Sequence, residues 1–86
     1  MDYKINNNVS NDRNDWRFRD QDGYLMCAKL TRSNFDISIR EHDHCEFCFE
    51  KFNNNSQYGY HTLDNYYWIC VSCFDDFRKM FNWEIV

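Results

Sequence analysis

Four cysteines stand in two pairs, Cys45-Glu46-Phe47-Cys48 and Cys70-Val71-Ser72-Cys73, with 21 residues between the pairs. Two residues between cysteines let both sulfurs of a pair reach one centre, and two pairs supply four soft ligands. Four thiolates match the tetrahedral shell of a zinc ion, with Zn–S bonds of about 2.3 Å. The pattern therefore predicts one Zn2+ per chain, held by Cys45, Cys48, Cys70 and Cys73. Iron, alone or in an iron–sulfur cluster, also accepts four thiolates, so the ligand set leaves the metal open. Two further readings compete. Redox-active CxxC pairs belong in a thioredoxin-like βαβ pattern, which neither pair has. Two disulfides would need an oxidising compartment, for which the chain carries no signal.

His42 and His44 flank the first pair. Four cysteines already complete a zinc shell, so both histidines are expected to support the site or face solvent rather than replace a ligand. His61 reads as a loop residue. Cys27, within Met26-Cys27-Ala28, has no partner at ligand spacing and reads as a small buried apolar residue.

The elements that must position the sulfurs are short. A chain of 86 residues buries only about 60% of its unfolded surface, and such chains often need a metal, a disulfide or a partner as a staple. Aromatic residues make up 20% of this one, enough to fill a small core. Residues 1–13 are polar and aperiodic and read as a flexible tail, leaving 14–86 as a single metal-binding domain. Trp16-Arg17-Phe18-Arg19 alternates as a half-buried strand does, and Asp22-Gly23 is a hairpin-turn signal. Together with Tyr24–Leu30 they predict a β-hairpin over about 16–30. Phe35–Ile39 alternates again and predicts a third strand. A zinc module follows over about 42–83. It comprises a knuckle at Cys45–Cys48, a loop over 53–65 with a short strand at Gln57–His61, and a β-prone segment at Asn65–Cys70, which suggest a second hairpin. Phe74, Phe77 and Phe81 then fall on one helical face, predicting a helix over 72–82 with Ser72 and Asp75 near a capping-box arrangement. Asp75 and Asp76 are expected in its first turn. The fold class is α+β: β-hairpins plus one C-terminal helix around a metal.

Most of the phenylalanines, among them Phe47, Phe49, Phe52, Phe74, Phe77 and Phe81, are expected in the core. Tyr58, Tyr60, Tyr66 and Trp83 are candidates for a protein-binding surface, where such residues are enriched.

Charge narrows the function classes. The net charge is −4, and all of it lies in residues 42–86, which carry three Lys/Arg against seven Asp/Glu. Four thiolates and one Zn2+ would add about −2, a poor surface for a phosphate backbone. No apolar run approaches the roughly 20 residues of a membrane span, and the first residues have no apolar signal-peptide core, so a cytoplasmic location without membrane contact is expected. The leading expectation is a non-enzymatic module that binds another protein. Its acidic half suits a basic target, and an inhibitor covering a basic enzyme would fit this charge. The first alternative is a nucleic-acid-binding finger using Arg13, Arg17, Arg19, Arg32 and Arg40 as a basic strip. The second is a metal-dependent or redox enzyme, in which His42, Asp43 and His44 would act. It is disfavoured because four cysteines leave no open position on the metal.

The order of knuckle, hairpin and second CxxC at a helix start resembles a treble-clef zinc finger. Cys45–Cys48, Tyr66–Ile69 and Cys70-Val71-Ser72-Cys73 running into Phe74-Asp75-Asp76-Phe77 carry the resemblance, which covers about 45–82. The chain is also similar to short bacterial proteins of unassigned activity that share a knuckle like His42-Asp43-His44-Cys45-Glu46-Phe47-Cys48 and a segment like Ile69–Phe77. Treble-clef knuckles commonly place glycine after the second cysteine. Phe49 stands there, which implies a looser turn. Some relatives of that fold are HNH-type nucleases, whose histidine and asparagine constellation has no counterpart here.

Overall fold

A computed structural model describes residues 15–86, so the tail expected over 1–13 lies outside the described residues. The elements run α1 (Asp22–Leu25), β1 (Lys29–Asn34), β2 (Asp43–His44), β3 (Lys51–Phe52), β4 (Tyr58–Thr62), β5 (Trp68–Ile69), α2 (Val71–Phe81) and β6 (Glu84–Ile85). The fold is α+β, with several strands and one long helix near the C-terminus. One sheet has the order β5-β4-β1-β6, and β2 pairs with β3 in a separate hairpin. Within the sheet β4 is antiparallel to β1 (Leu30 opposite Thr62) and to β5 (Tyr60 opposite Ile69). β6 returns parallel to β1, with Lys29 opposite Glu84.

Helix α2 comes close to the predicted 72–82, but its cap differs. Cys70 is the N-cap residue, and its sulfur accepts from the Cys73 N–H. Ser72 is therefore already inside the helix, and neither Asp75 nor Asp76 reaches the first turn. At the other end Asn82 turns left-handed (φ 55°), and the Asn82 and Trp83 N–H groups bond to the Lys79 and Arg78 carbonyls. The buried stripe is Cys73, Phe74, Phe77 and Phe81, so the face that packs on the sheet is also the face that presents a sulfur.

Two aromatic clusters fill the interior. Phe47 from the knuckle stacks on Phe77 at 4.6 Å and meets Phe81 edge-on at 5.5 Å. Tyr60 stacks on Phe74 at 3.7 Å. Phe35, Phe52 and Trp68 form the second cluster, with centroids 5.2 to 5.8 Å apart. Gly59 is needed where these layers meet. A β-carbon there would lie 2.7 Å from the Ile69 carbonyl oxygen and 3.0 Å from the Phe52 ring. Trp83 is buried, its indole N–H donating to the Leu25 carbonyl at 2.8 Å, whereas Phe49, expected inside, is 57% exposed.

The hairpin predicted over 16–30 does not form. Asp22-Gly23 opens α1 instead, and neither residue has the positive φ that a two-residue hairpin turn requires. Residues 15–21 make a turn and an irregular strap, begun when the Asp15 carboxylate accepts from the Arg17 backbone and side chain. The strand predicted over 35–39 is also absent. Asp36 takes the Ser38 backbone N–H and hydroxyl, and its carbonyl takes the Ile39 N–H, which closes a turn and leaves Ile37 and Ile39 exposed. In both places a short-range acceptor outcompetes the ladder that the alternation suggested. The second hairpin does form, as β4 and β5, and it places His61 in a strand rather than a loop.

Candidate metal centre

The sheet and α2 bring the two cysteine pairs together. Cys45 leaves β2, and its own N–H bonds to the Glu50 carbonyl at 2.8 Å, so the chain folds back into β3 as a tight knuckle. Phe49 completes that knuckle with φ 68°, the left-handed conformation that glycine commonly supplies. The turn is thus as tight as a glycine would make it, and the Arg19 guanidinium covers the Phe49 ring at 4.3 Å. A parallel bridge between Cys45 and Trp68 ties the knuckle to β5, which runs directly into Cys70 and α2.

The ligand atoms of Cys45, Cys48, Cys70 and Cys73 all lie within 4.8 Å of one another, and among the described residues this is the one group of three or more such side chains close enough to share an ion. Tetrahedral Zn–S bonds of about 2.3 Å imply sulfurs about 3.8 Å apart. The Cys48–Cys70 separation is 3.6 Å. All five cysteines are free.

The chemistry of the donor set fits a cation. The Phe47 and Cys70 backbone N–H groups donate to Cys45 Sγ, each at 3.4 Å, and the Cys73 N–H donates to Cys70 Sγ at 3.4 Å. Such donors favour thiolates. Packed this closely, however, four sulfurs cannot all ionise unaided. Hydrogen bonds from the Cys70 and Cys73 thiols hold the Cys45 thiol far below its usual range. The same bonds to Cys45 push Cys70 and Cys73 upward. A bound divalent ion removes that conflict, because coordinating thiols lose their protons outright.

Residues 15–21 add a layer that the spacing of the cysteines did not announce. Arg17 Nη1 donates to Cys73 Sγ at 3.6 Å and to Asp76 at 2.9 Å, while Asp15 holds the same guanidinium at 2.7 Å. Arg19 donates to the Glu46 and Phe47 carbonyls at 2.9 and 3.2 Å, inside the first CxxC. Gln21, fully buried, donates to the Glu46 carbonyl at 3.0 Å and to the Arg17 carbonyl at 2.8 Å. The alternate spacing of Arg17, Arg19 and Gln21 is the only trace of this strap in the sequence, and it reads equally well as a strand.

The remaining candidates lie elsewhere. His42 and His44 are exposed, with rings 5.4 Å apart, and neither joins the sulfur cluster. Asp43 is paired with Arg40. Cys27 is exposed rather than buried, with φ 60°. Arg32 lies over Tyr58 at 4.6 Å. Among the described residues Arg17, Arg19, Arg32 and Arg40 are therefore each engaged by a carboxylate, a carbonyl or an aromatic ring, and Arg17 and Arg19 lie in the strap rather than in a strand. No helix of the described residues is long and apolar enough to cross a membrane. No protein-family model matches the chain, and no curated protein or solved structure matches it.

Proposed function

We propose that this chain is a non-enzymatic, treble-clef-like module in which Cys45, Cys48, Cys70 and Cys73 hold one structural Zn2+, and that it works by binding another protein. The observation that carries the metal reading is the convergence of four cysteine ligand atoms within 4.8 Å, three of the cysteines buried, in a core too small to rely on burial alone. A knuckle hairpin, a second hairpin and a helix that begins at the second CxxC support the treble-clef likeness. Four protein sulfurs close the shell and leave no position for substrate, which supports a structural over a catalytic ion. Thiolates persist in reducing compartments such as the cytoplasm, where the reading places the chain.

The protein-binding part rests on surface chemistry. Trp16 and Tyr66 are 65% and 61% exposed and offer amphipathic rings of the kind that anchor interfaces. The acidic balance of residues 42–86 favours a basic partner.

The test is elemental analysis of protein purified under reducing conditions, followed by thermal unfolding with and without chelator. The expected result is one zinc per chain and loss of the cooperative transition on chelation, because metal-binding energy is then folding energy. A metal-free chain that keeps its cooperative transition overturns the reading.

A further inference from the structure

The four sulfurs are not equivalent, and the difference has a chemical consequence that rests on the metal reading above. Three of the cysteines are sealed: Cys45 and Cys73 are 1% exposed and Cys70 5%. Each of their sulfurs also takes an N–H bond. Cys45 Sγ accepts from Phe47 and Cys70, Cys70 Sγ from Cys73, and Cys73 Sγ from the Arg17 guanidinium. Cys48 differs on both counts. It is only half-buried, and among the described residues its sulfur accepts from no N–H group. It lines an open cleft of about 610 Å3 between the strap at Asp15–Arg17 and the start of α2, a cleft whose wall Cys70 and Cys73 also reach but to which they present only 5% and 1% of their surface.

A hydrogen bond to a thiolate withdraws charge from the lone pair that would attack an electrophile, and burial denies the electrophile access. Both effects protect three sulfurs; the fourth lacks the hydrogen bond and is the least buried of the set. We propose that Cys48 is the reactive sulfur of the centre, the site at which peroxides and soft electrophiles modify the chain, and that its oxidation releases the metal.

The chemistry balances with a peroxide as the only co-reactant. The Cys48 thiolate attacks one oxygen of hydrogen peroxide, the O–O bond breaks, hydroxide leaves, and a sulfenic acid remains. The Cys70 thiolate, 3.6 Å away, attacks the Cys48 sulfur. The S–O bond breaks, a second hydroxide leaves, and a disulfide joins Cys48 to Cys70. The peroxide has taken two electrons and the two thiolates have lost them. Only Cys45 and Cys73 would then remain as ligands, half of the set that would hold the ion, and it would be released. Because the new bond links one pair to the other, a reductant restores all four ligands in place.

The experiment uses the full chain, loaded with zinc, carrying Cys27→Ser to remove the exposed thiol outside the centre. Zinc content is measured first, so that the metal reading is judged separately. The chain is then treated with less than one equivalent of N-ethylmaleimide, and in parallel with hydrogen peroxide, and the modified cysteines are located by mass spectrometry while a chromogenic chelator follows the zinc. The expected results are a first label on Cys48, a Cys48–Cys70 disulfide after peroxide, and zinc release in step with it. Cys48→His keeps a zinc ligand but removes the nucleophile. It should slow peroxide-driven release about tenfold, the factor that one charge-assisted hydrogen bond carries. A zinc-loaded chain labelled first at Cys45, Cys70 or Cys73, or evenly, overturns the assignment and leaves the metal reading standing. So does Cys48→His protein that releases zinc at the unaltered rate. If that variant does not fold, the labelling order decides alone. A chain that carries no zinc overturns both readings.

Discussion

Cys70 and Cys73 sit at the start of a three-turn helix, which supplies the bonds that link them to each other, while Arg17 reaches Cys73 from the strap. The Cys73 N–H reaches Cys70 Sγ and the Phe74 N–H reaches the Cys70 carbonyl at 2.9 Å. Cys45 and Cys48 have the same spacing but sit in a turn between two strands of two residues each. That turn is held from outside. Trp68 takes the Glu46 N–H, while Arg19 and Gln21 bind the Glu46 and Phe47 carbonyls from 25 to 28 residues away. Both pairs have short-range bonds of their own, but the second is continued by a helix, whereas the first depends on tertiary contacts to hold its backbone carbonyls. A CxxC motif specifies ligands, but the rigidity of each knuckle depends on what surrounds it.

Metal removal breaks the comparison altogether. Apparent binding energies of about 10–16 kcal/mol for small structural zinc sites exceed the stability of an ordinary small domain. Chelation, or serine at Cys45 or Cys73, should therefore abolish the cooperative thermal transition and much of the near-ultraviolet circular dichroism. Substitutions in the strap should separate the two pairs. Gln21→Ala empties a buried site, takes the side-chain donor from the Arg17 carbonyl and leaves the Glu46 carbonyl to Arg19 alone, and should cost about 2 kcal/mol in denaturant unfolding of the metal-loaded protein. Arg19→Ala acts at a more exposed position and should cost about 1 kcal/mol. Both should speed zinc transfer to a competing chelator. Ser72→Ala, within the second pair, should change stability by less than about 0.5 kcal/mol, because Ser72 does not cap the helix.

The ion pair that anchors the strap gives a pH test of smaller size. Hydrogen bonds from Arg17 hold the Asp15 carboxyl below the ordinary carboxylate value. A carboxylate whose pKa is depressed on folding adds stability above its unfolded pKa, and that stability is lost as pH falls through the folded value. Asp15→Asn should therefore cost up to about 1 kcal/mol at neutral pH. While the metal stays bound the gap between the two chains should stay constant from neutral pH down toward the ordinary carboxylate range, where protonation of the thiolates releases the metal before the gap can close. Denaturant midpoints measured across that range check both statements.

What was legible in the sequence follows the same division. The second CxxC and α2 are written in short-range terms: Phe74, Phe77 and Phe81 repeat at helical spacing, and β4 and β5 are β-prone segments joined by a polar turn. The four cysteines declare themselves by spacing. The strap does not, because the partners of Arg17, Arg19 and Gln21 lie 25 to 59 residues away, and Trp16-Arg17-Phe18-Arg19 matches a strand as well as any true one. Phe49 misled for a related reason. A large aromatic beside a cysteine suggests core, but a left-handed turn points it outward, where Arg19 covers it. Cys27 followed the habit of its residue type, whereas its own positive φ places it at an exposed corner between α1 and β1.

The parallel pairing of β1 with β6 bears on the order in which the molecule assembles. Lys29 meets Glu84 across 55 residues of chain, the costliest closure in the sheet. An ion joining residue 45 to residue 73 shortens the path between those partners to 27 residues, from 29 to 45 and from 73 to 84. Halving a loop lowers its closure entropy by only about 0.6 kcal/mol, too little to matter for equilibrium stability but a factor of about three in the rate of closure. An ion bound by the four cysteines before the last strand is laid would act on kinetics as a clasp. Refolding started with the metal already bound should run faster in its sheet-closing phase than refolding in which metal is added late.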